Sequence, residues 1–244
     1  MSAQPDLQTY VREHLSQVPG WSGSGASMLM LEPLAGIQDD SCHQLGSFEI
    51  GVHHGRYLIA LHNTCQRGSR SLGLDLFDDQ SRNIDGSGSG DLEQARSNLR
   101  RFARQPKLVD LRSADSLALT DTEVQKIQRS YGGFRFASID GGHTPIHVAN
   151  DTTLAARLVA PAGFLIVDDF FNPNFPGVTE GLYRLLESHN LPFVPMIVTL
   201  KKLFLCVSFA PRYRAAIASD SVRSELATMK AVEIAGNPCL SVAA

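Results

Sequence analysis

The segment SFEIGVHHG (residues 47–55) begins with a run typical of a buried strand and ends in a turn that contains Gly51 and Gly55. It is followed by RYLIALHNTC (56–65), which we interpret as a helix. The same pattern recurs along the chain, with strands predicted over 70–77, 106–115, 134–140 and 163–171 and helices over 91–103, 121–131, 144–159 and 177–190. This alternation is typical of an α/β fold, in which helices cover both faces of a parallel sheet.

The segments VPMIVT (194–199) and LFLCVSF (203–209) are joined by so few residues that we expect an antiparallel hairpin. The sequence therefore predicts a three-layer α/β sandwich around a seven-stranded, mostly parallel sheet whose last strand is antiparallel. We assign this domain to residues 47–210, an N-terminal extension or lid to residues 1–46, and a helical C-terminal tail to residues 211–244.

The composition indicates a folded chain with one polar interruption. Hydrophobic residues make up 43% of the 244, which is enough to bury a core. The segment DDQSRNIDGSGSG (78–90) has too few apolar residues to pack, and we expect a mobile loop there. The 4 cysteines form no C-x-x-C pair, so we interpret them as reduced structural thiols.

Charge and hydropathy argue against nucleic acids and membranes as partners. The chain carries 22 Lys and Arg against 25 Asp and Glu, a net charge of −3, so it has no cationic field for phosphates. Lys201 and Lys202 interrupt the apolar stretch 194–210, which is too short to span a bilayer. The opening residues are polar and do not resemble a signal peptide. We therefore expect a soluble, cytoplasmic protein.

Acidic residues lie at or near the ends of five predicted strands. In an open α/β sheet these ends share one edge, where ligands bind. Each acid taken singly could cap a helix or face solvent, but together they favour a ligand that offers cations or hydroxyl donors, because like charges at one edge repel. The acids are Glu49, Asp75, Asp115, Asp140 and the pair Asp168 and Asp169.

The turn after the first strand argues against a dinucleotide site. A G-x-G-x-x-G fingerprint would have glycine where this chain has Glu49, and an anion there would repel a pyrophosphate. The acid instead suits a ligand with a cationic part and hydroxyl groups. Asp75, 26 positions later, lies where a carboxylate can accept both hydroxyls of a ribose.

These motifs together resemble the class I S-adenosylmethionine-dependent methyltransferases, which have a Rossmann-like sheet. The resemblance covers residues 47–209 and depends on EIGVHHG, on the acid in LGLDLF, on ADS after the third strand and on the reversed last strand. It implies that the domain over residues 47–210 is catalytic and that seven residues line an S-adenosylmethionine pocket. These are Glu49, Gly51 and Gly55 around the amino-acid and ribose parts, Asp75 on the ribose hydroxyls, Leu76 on adenine, and Asp115 and Ser116 at the adenine edge.

The fourth and fifth predicted strands end in three carboxylates. Asp140 begins the motif DGGH, and Asp168 and Asp169 follow 28 positions later. Oxygen ligands with open positions suit Mg²⁺. This pattern is similar to the metal-dependent O-methyltransferases of the macrocin and aminocoumarin sugar-modifying type. The resemblance implies Asp140, Asp168 and Asp169 as Mg²⁺ ligands, and His143 or Asp140 as the base that takes the acceptor's proton.

A second metal site is conceivable from the spacing of His143 and His147, four residues apart and flanked by Asp140 and Asp151. On one helix these four side chains could bind zinc or iron. Pro145 argues against this arrangement, because it starts the helix after His143.

The loop FFNPNFPGVTEG (170–181) leaves the same strand end as the acid pair. It is either a rigid connection into a helix or a wall of the acceptor pocket. We predict the wall, with Phe171, Asn172 and Phe175 near the substrate.

The function predicted from the sequence is an S-adenosylmethionine-dependent, Mg²⁺-dependent O-methyltransferase that acts on a hydroxyl of a small metabolite, such as a sugar or a natural product; N-methylation remains open. One alternative is an NAD(P)-dependent oxidoreductase of related fold, which Glu49 disfavours. Another is a non-catalytic S-adenosylmethionine-binding or scaffold protein, which the intact acids disfavour. The apolar stretch MLMLEPL (28–34) could pack on a partner, so a homo-oligomer is a further expectation.

Overall fold

The computed structural model describes residues 5–21, 25–38, 40–206, 213, 215 and 228–243, and its centre is a single sheet. The sheet has nine strands in the order β3-β2-β1-β4-β5-β7-β6-β9-β8. The strands are β1 (Gly46–Ile50), β2 (Ser71–Asp75), β3 (Val109–Ser113), β4 (Phe134–Ile139), β5 (Val159–Val167), β6 (Val194–Val198), β7 (Leu203–Cys206), β8 (Thr228–Ile234) and β9 (Asn237–Ala243). Strands β1 to β5 are parallel, and β7 is antiparallel to β5 and β6.

Helices cover both faces of this sheet. They are α1 (Leu7–Thr9), α2 (Gly25–Leu29), α3 (Leu31–Ile37), α4 (Arg56–Asn63), α5 (Leu92–Phe102), α6 (Asp121–Tyr131), α7 (Pro145–Leu158) and α8 (Pro176–Glu187). Successive strand residues enter opposite cores, as β-strand geometry requires: Phe136 packs with α4 and α5, whereas Ala137 packs with α6, α7 and α8. The predicted mostly parallel α/β sandwich is confirmed, with nine strands in place of seven.

The start of α7 agrees with the prediction made from its capping residues. The Thr144 side chain accepts a hydrogen bond from the His147 backbone N–H, and Pro145 occupies the first turn. His143 therefore precedes the helix and belongs to the loop at the end of β4. This boundary separates His143 from His147 and directs the two imidazoles to different partners.

The N-terminal segment packs against α4. The Tyr10 hydroxyl donates to the Arg56 carbonyl at 2.8 Å, and the Arg56 guanidinium donates to the Leu15 and Val18 carbonyls at 3.0 and 2.7 Å. In the stretch 28–34, four apolar side chains are buried in the same core, so the expectation that this stretch offers an apolar surface to a partner is wrong. These four are Met28, Met30, Leu31 and Leu34.

The C-terminal segment differs from the predicted helical tail. Its residues 228–243 form a hairpin in which β9 pairs in parallel with β6. Ala235 and Gly236 both have positive φ, 49° and 72°, which is the two-residue turn that joins antiparallel strands. The prediction of a helix is wrong here, because these residues form strands that pair with the sheet at β6 and cover its edge. The remaining predicted tail lies outside the described residues, apart from Tyr213 and Ala215.

No helix in the described ranges combines the length and the hydrophobicity that a transmembrane segment requires.

Candidate active site

A cavity of about 440 Å³ lies at the carboxyl ends of β1, β2, β4 and β5. Six of the seven predicted cofactor residues line it; these are Glu49, Gly51, Asp75, Leu76, Asp115 and Ser116. Gly55 does not line the cavity: it begins α4 with a left-handed backbone, φ 85°. The loops of this sheet edge therefore bring together residues that are up to 67 positions apart, from Glu49 to Ser116.

Gly51 is required by the close approach of two strands. Its φ is 87°, and a Cβ atom there would lie 1.7 Å from the Asp140 carbonyl oxygen. The Asp140 N–H donates to the Ile50 carbonyl at 2.8 Å, which holds the ends of β1 and β4 together. Any side chain at position 51 would force the ends of β1 and β4 apart.

Backbone amides hold the Asp75 carboxylate. One oxygen accepts from the His53 N–H at 2.7 Å, and the other accepts from the Phe77 N–H at 2.6 Å. A carboxylate has about four acceptor positions. Asp75 therefore keeps capacity for hydroxyl donors while the chain fixes its orientation.

Two polar atoms at the inner end of the cavity lack partners. Glu49 and Tyr57 are buried, and neither Glu49 Oε2 nor the Tyr57 hydroxyl has a hydrogen-bond partner within the described part of the chain. Burial raises the pKa of Glu49, although the nearby Lys202 ammonium opposes this shift. Because buried unpaired polar groups are costly, both atoms suit a ligand that donates hydrogen bonds at this end.

Asp168 is paired with a lysine that sequence reasoning did not assign to the site. The Lys202 Nζ contacts Asp168 Oδ2, and the two side chains are only 1% and 3% exposed. The same ammonium lies 4.2 Å from the centre of the Tyr57 ring. Thr199 hydrogen-bonds Lys202 within the β6–β7 turn, which carries the lysine under the cavity. The available signal was a lysine inside an otherwise apolar hairpin.

The other two predicted metal ligands meet at His143. The His143 Nε2 lies 3.4 Å from Asp169 Oδ2 and 3.9 Å from Asp140 Oδ1. Among the described residues, these three provide the group of donor atoms that lie within 4.8 Å of one another. Asp168 is outside this group. The alternative set with His147 and Asp151 is not brought together, and the His147 Nδ1 lies 2.7 Å from the Thr144 hydroxyl instead.

The acids of this group have opposite pKa shifts. Burial, followed by the neighbouring Asp168 carboxylate, raises the pKa of Asp140 well above its usual value. Burial also opposes ionisation of Asp169, but the adjacent His143 imidazole and a hydrogen bond from Asn172 outweigh it and lower the pKa of Asp169. Burial lowers the pKa of His143, yet the neighbouring Asp169 and Asp85 carboxylates raise it overall. The Asp140 carboxylate is thus the group that most lacks a cation.

The segment 78–90 buries none of its residues, as its few apolar side chains predict, yet it contacts the site through polar groups. Asp85 Oδ2 accepts from the His143 backbone N–H at 2.7 Å and lies 2.9 Å from the His143 Nδ1. The Ser87 hydroxyl also lies 2.9 Å from that nitrogen. The segment is held by polar contacts, which a count of its apolar residues could not detect.

The predicted acceptor wall is only partly assembled. Asn172 and Phe175 line the cavity; the Asn172 amide donates to Asp169 Oδ1 at 2.7 Å, and the Phe175 ring stacks on His143 at 3.9 Å. Phe171 does not line it, and its side chain is 51% exposed. Trp21, from the N-terminal segment, lines the cavity and is 74% exposed.

A family profile described as a methyltransferase domain matches residues 48–170, about half of the chain. The chain belongs to this methyltransferase-domain family. Among curated proteins, the rhamnosyl O-methyltransferases of Mycobacterium tuberculosis (strain ATCC 25618 / H37Rv) and Mycobacterium bovis (strain BCG / Pasteur 1173P2) are each 26% identical over 96 residues. The aligned segment covers 38% of this chain and 39% of those relatives' own length.

Solved structures share the fold. The O-methyltransferase NovP has a TM-score of 0.59 at 12% identity, covering 75% of this chain and 80% of its own. The Bacillus cereus O-methyltransferase in complex with SAH has a TM-score of 0.54 at 19% identity, covering 84% and 90%. The MycE methyltransferase of the mycinamycin pathway, in complex with Mg and SAH, has a TM-score of 0.53 at 17% identity, covering 84% and 55%. The predicted class I, Rossmann-like methyltransferase fold is thereby confirmed.

Proposed function

We propose that this protein is an S-adenosylmethionine-dependent O-methyltransferase that uses a divalent cation, Mg²⁺ by preference, and acts on a hydroxyl of a small sugar or natural product. One observation carries the proposal. The donor group of Asp140, His143 and Asp169 lies in the same cavity as Glu49 and Asp75. Family membership and the names of the relatives, rhamnosyl O-methyltransferase among them, support it.

The unpartnered atoms of the cavity support S-adenosylmethionine as the methyl donor. Its ammonium group would donate to Glu49 Oε2 and the Tyr57 hydroxyl, the two buried atoms without partners. Its ribose hydroxyls would donate to Asp75, and Leu76 and Ser116 lie along the cavity for the adenine. A dinucleotide would instead bring a pyrophosphate toward a buried acid, at a high electrostatic cost.

The chemistry of the acidic group supports a hard divalent cation. Mg²⁺ is commonly held by one or two carboxylates and keeps several waters. Asp140 and Asp169 offer such a pair, and the raised pKa of Asp140 reflects burial beside other acids that a cation would offset. We propose these two as the principal ligands. Asp168, the third predicted ligand, would support the site from below while Lys202 compensates its charge.

In this reaction the residues of the chain would orient the two reactants and remove the proton of the acceptor hydroxyl. S-adenosylmethionine supplies an electrophilic methyl group, and a divalent cation lowers the pKa of a bound hydroxyl. His143 Nε2 would accept the acceptor's proton, since it faces the acidic group and the cavity. The stacked Phe175 ring keeps the imidazole plane in place. Positioning matters greatly, because methyl transfer requires an in-line approach of the two reactants.

The mouth of the cavity supports a small acceptor that has both hydroxyl and apolar surfaces. Asn172 offers amide contacts, and Phe175 and the exposed Trp21 offer aromatic surface. A glycosylated small molecule combines hydroxyl groups with C–H faces that pack on such rings.

Binding measurements test the proposal before an acceptor is known. Calorimetry with S-adenosylhomocysteine should detect one site, and electron paramagnetic resonance should detect Mn²⁺ bound by the wild type but only weakly by Asp140→Asn. Asp78→Asn, at an exposed position of the neighbouring loop, is the control and should behave as the wild type. Absence of S-adenosylhomocysteine binding at millimolar concentration, or binding of NADH in its place, would overturn the proposal.

A further inference from the structure

We propose that Asp85 is a positioning residue that fixes the tautomer of His143, so that Nε2 is the nitrogen with the free electron pair. The inference rests on the proposed function, in which that nitrogen faces the acceptor and the acidic group. It assigns a role to the loop 78–90, which neither the cofactor pocket nor the metal ligands had required.

Asp85 contacts His143 through both its backbone and its ring. The same carboxylate oxygen accepts from the His143 N–H at 2.7 Å and lies 2.9 Å from Nδ1. The Asp85 side chain is 17% exposed and the His143 side chain 12%. Because the His143 backbone N–H holds the same oxygen in place, the imidazole cannot turn without breaking its 2.9 Å contact to Asp85.

Ser87 fixes the direction of these hydrogen bonds. Its hydroxyl donates to Asp85 Oδ1 at 2.5 Å, and its backbone N–H donates to the same oxygen at 3.0 Å. Since the hydroxyl proton is used on Asp85, the Ser87 oxygen can only accept from the His143 Nδ1, which lies 2.9 Å away. Both neighbours of Nδ1 are therefore acceptors, and Nδ1 must carry the hydrogen.

Nε2, on the opposite side of the His143 ring, is therefore the nitrogen without a hydrogen. A neutral imidazole carries one hydrogen, so a hydrogen on Nδ1 leaves Nε2 unprotonated. Nε2 lies 3.4 Å from Asp169 and 3.9 Å from Asp140, longer than the 2.9 Å contacts at Nδ1. The shorter contacts retain the hydrogen on the Asp85 side. Nε2 is then available as a base or as a ligand, and either role requires Asp85.

The contact also joins two parts of the site that are distant in sequence. Asp85 and His143 are 58 residues apart, and the Asp85 loop lines the same cavity through Ile84 and Ser87. A loop that covers the cofactor side thus holds the base of the acceptor side. This arrangement explains how a segment rich in Gly and Ser takes up a defined position without an apolar core.

Nitrogen NMR of histidine-labelled protein tests the proposal without any turnover. At a pH high enough to leave the imidazole neutral, His143, assigned by its loss in His143→Gln, should show the Nδ1–H tautomer in the wild type. Asp85→Ala should shift it toward the Nε2–H tautomer, and Asp85→Asn, which keeps one acceptor oxygen, should restore part of the wild-type signal. Retention of the Nδ1–H tautomer in Asp85→Ala would overturn the proposal.

Kinetics give a second, independent readout. By comparison with other groups that orient a histidine, Asp85→Ala should lower kcat by about 10–100-fold, while the KM for S-adenosylmethionine changes by less than about threefold. Ser87→Ala is the matched control, since it removes a contact to the same nitrogen but leaves the carboxylate, and it should lose far less. Equal losses of kcat in both variants would contradict the proposal, because they would mean that Asp85 only anchors the loop. A lack of S-adenosylhomocysteine binding would refute the proposed function but leave the tautomer result standing.

Discussion

The two sides of the cavity hold their acidic residues by different means. Beside β1 and β2, the backbone N–H groups of His53 and Phe77 hold Asp75. Beside β4 and β5, Asp168 accepts one hydrogen bond from the Asp169 N–H at 2.8 Å, but the charges of the acids face side chains, chiefly Lys202 and His143. Backbone N–H groups are supplied by the turns next to the acid, whereas side-chain partners come from segments that only the fold brings close.

Because of this difference, the first side of the site should tolerate substitutions elsewhere in the chain better than the second. The partners of the first side lie within 22 residues of Asp75. The second side depends on more distant segments: the β6–β7 turn brings Lys202 to Asp168 across 34 residues, and the loop 78–90 brings Asp85 to His143 across 58. Single substitutions should therefore affect binding on the first side, and chemistry or stability on the second.

Asp169→Asn should have the largest effect and should separate the two sides most clearly. Asparagine tolerates the left-handed backbone at this position, φ 54°, so the fold should survive. Loss of the charge that faces His143, and that would face the proposed cation, should lower kcat by about 10²–10⁴-fold. Calorimetry should find S-adenosylhomocysteine affinity within about threefold of the wild type. An equal loss of affinity would mean that the two sides are not separable.

Lys202→Met tests the dependence of the second side on a buried side-chain cation. It leaves the Asp168 charge buried without a partner, and we expect a loss of about 3–5 kcal/mol in the free energy of unfolding, measured with urea. Lys201→Met is the matched control: this neighbouring lysine is 44% exposed and lies 3.7 Å from Asp169, so it should cost less than about 1 kcal/mol. The double variant Lys202→Met/Asp168→Asn should recover much of the loss. Equal costs for the two lysines would contradict this account.

Asp75→Ala examines the first side. Removing a charged acceptor of hydrogen bonds should weaken S-adenosylhomocysteine binding by about 10–100-fold, equivalent to roughly 1.5–3 kcal/mol. Mn²⁺ binding at Asp140 and Asp169 should be unchanged, because Asp75 lies on the other side of the cavity. A similar loss of Mn²⁺ binding would show that the two sides of the cavity do not act independently.

The smallest effect concerns pH and the Asp85 contact. Burial opposes ionisation of Asp85, but hydrogen bonds from Ser87 and His143 outweigh it and lower its pKa from 3.8 to about 2. An acid whose pKa is lower in the folded than in the unfolded state stabilises the fold at pH values above its unfolded pKa. That contribution disappears as the pH falls through the pKa of the folded state. After allowance for solvent screening we expect about 1 kcal/mol. The difference in unfolding free energy between wild type and Asp85→Asn should be constant at neutral pH and should shrink below pH 4; a constant difference down to pH 3 would contradict this assignment.

Much of the first side could be predicted from the sequence. The strand, the glycine turn and the acid after the next strand are local patterns, and Glu49, Gly51 and Asp75 line the cavity as expected. On the second side, the sequence predicted the acids but not the residues that hold them and His143 in place. Lys202 was interpreted as a break in an apolar run, and Asp85 as part of a mobile loop, because neither residue has its partner nearby in the sequence.

Local sequence patterns were enough to predict the alternation of strands and helices, the edge where the acids gather and the methyltransferase resemblance, since period and turn chemistry are encoded within a few neighbouring residues. Three features became visible only in the folded chain: Lys202 compensates Asp168, Asp85 holds His143, and the C-terminal residues 228–243 extend the sheet. All three have one cause. A charge or a strand edge is satisfied by whichever group the folded chain brings within hydrogen-bonding distance, and local sequence does not specify that group.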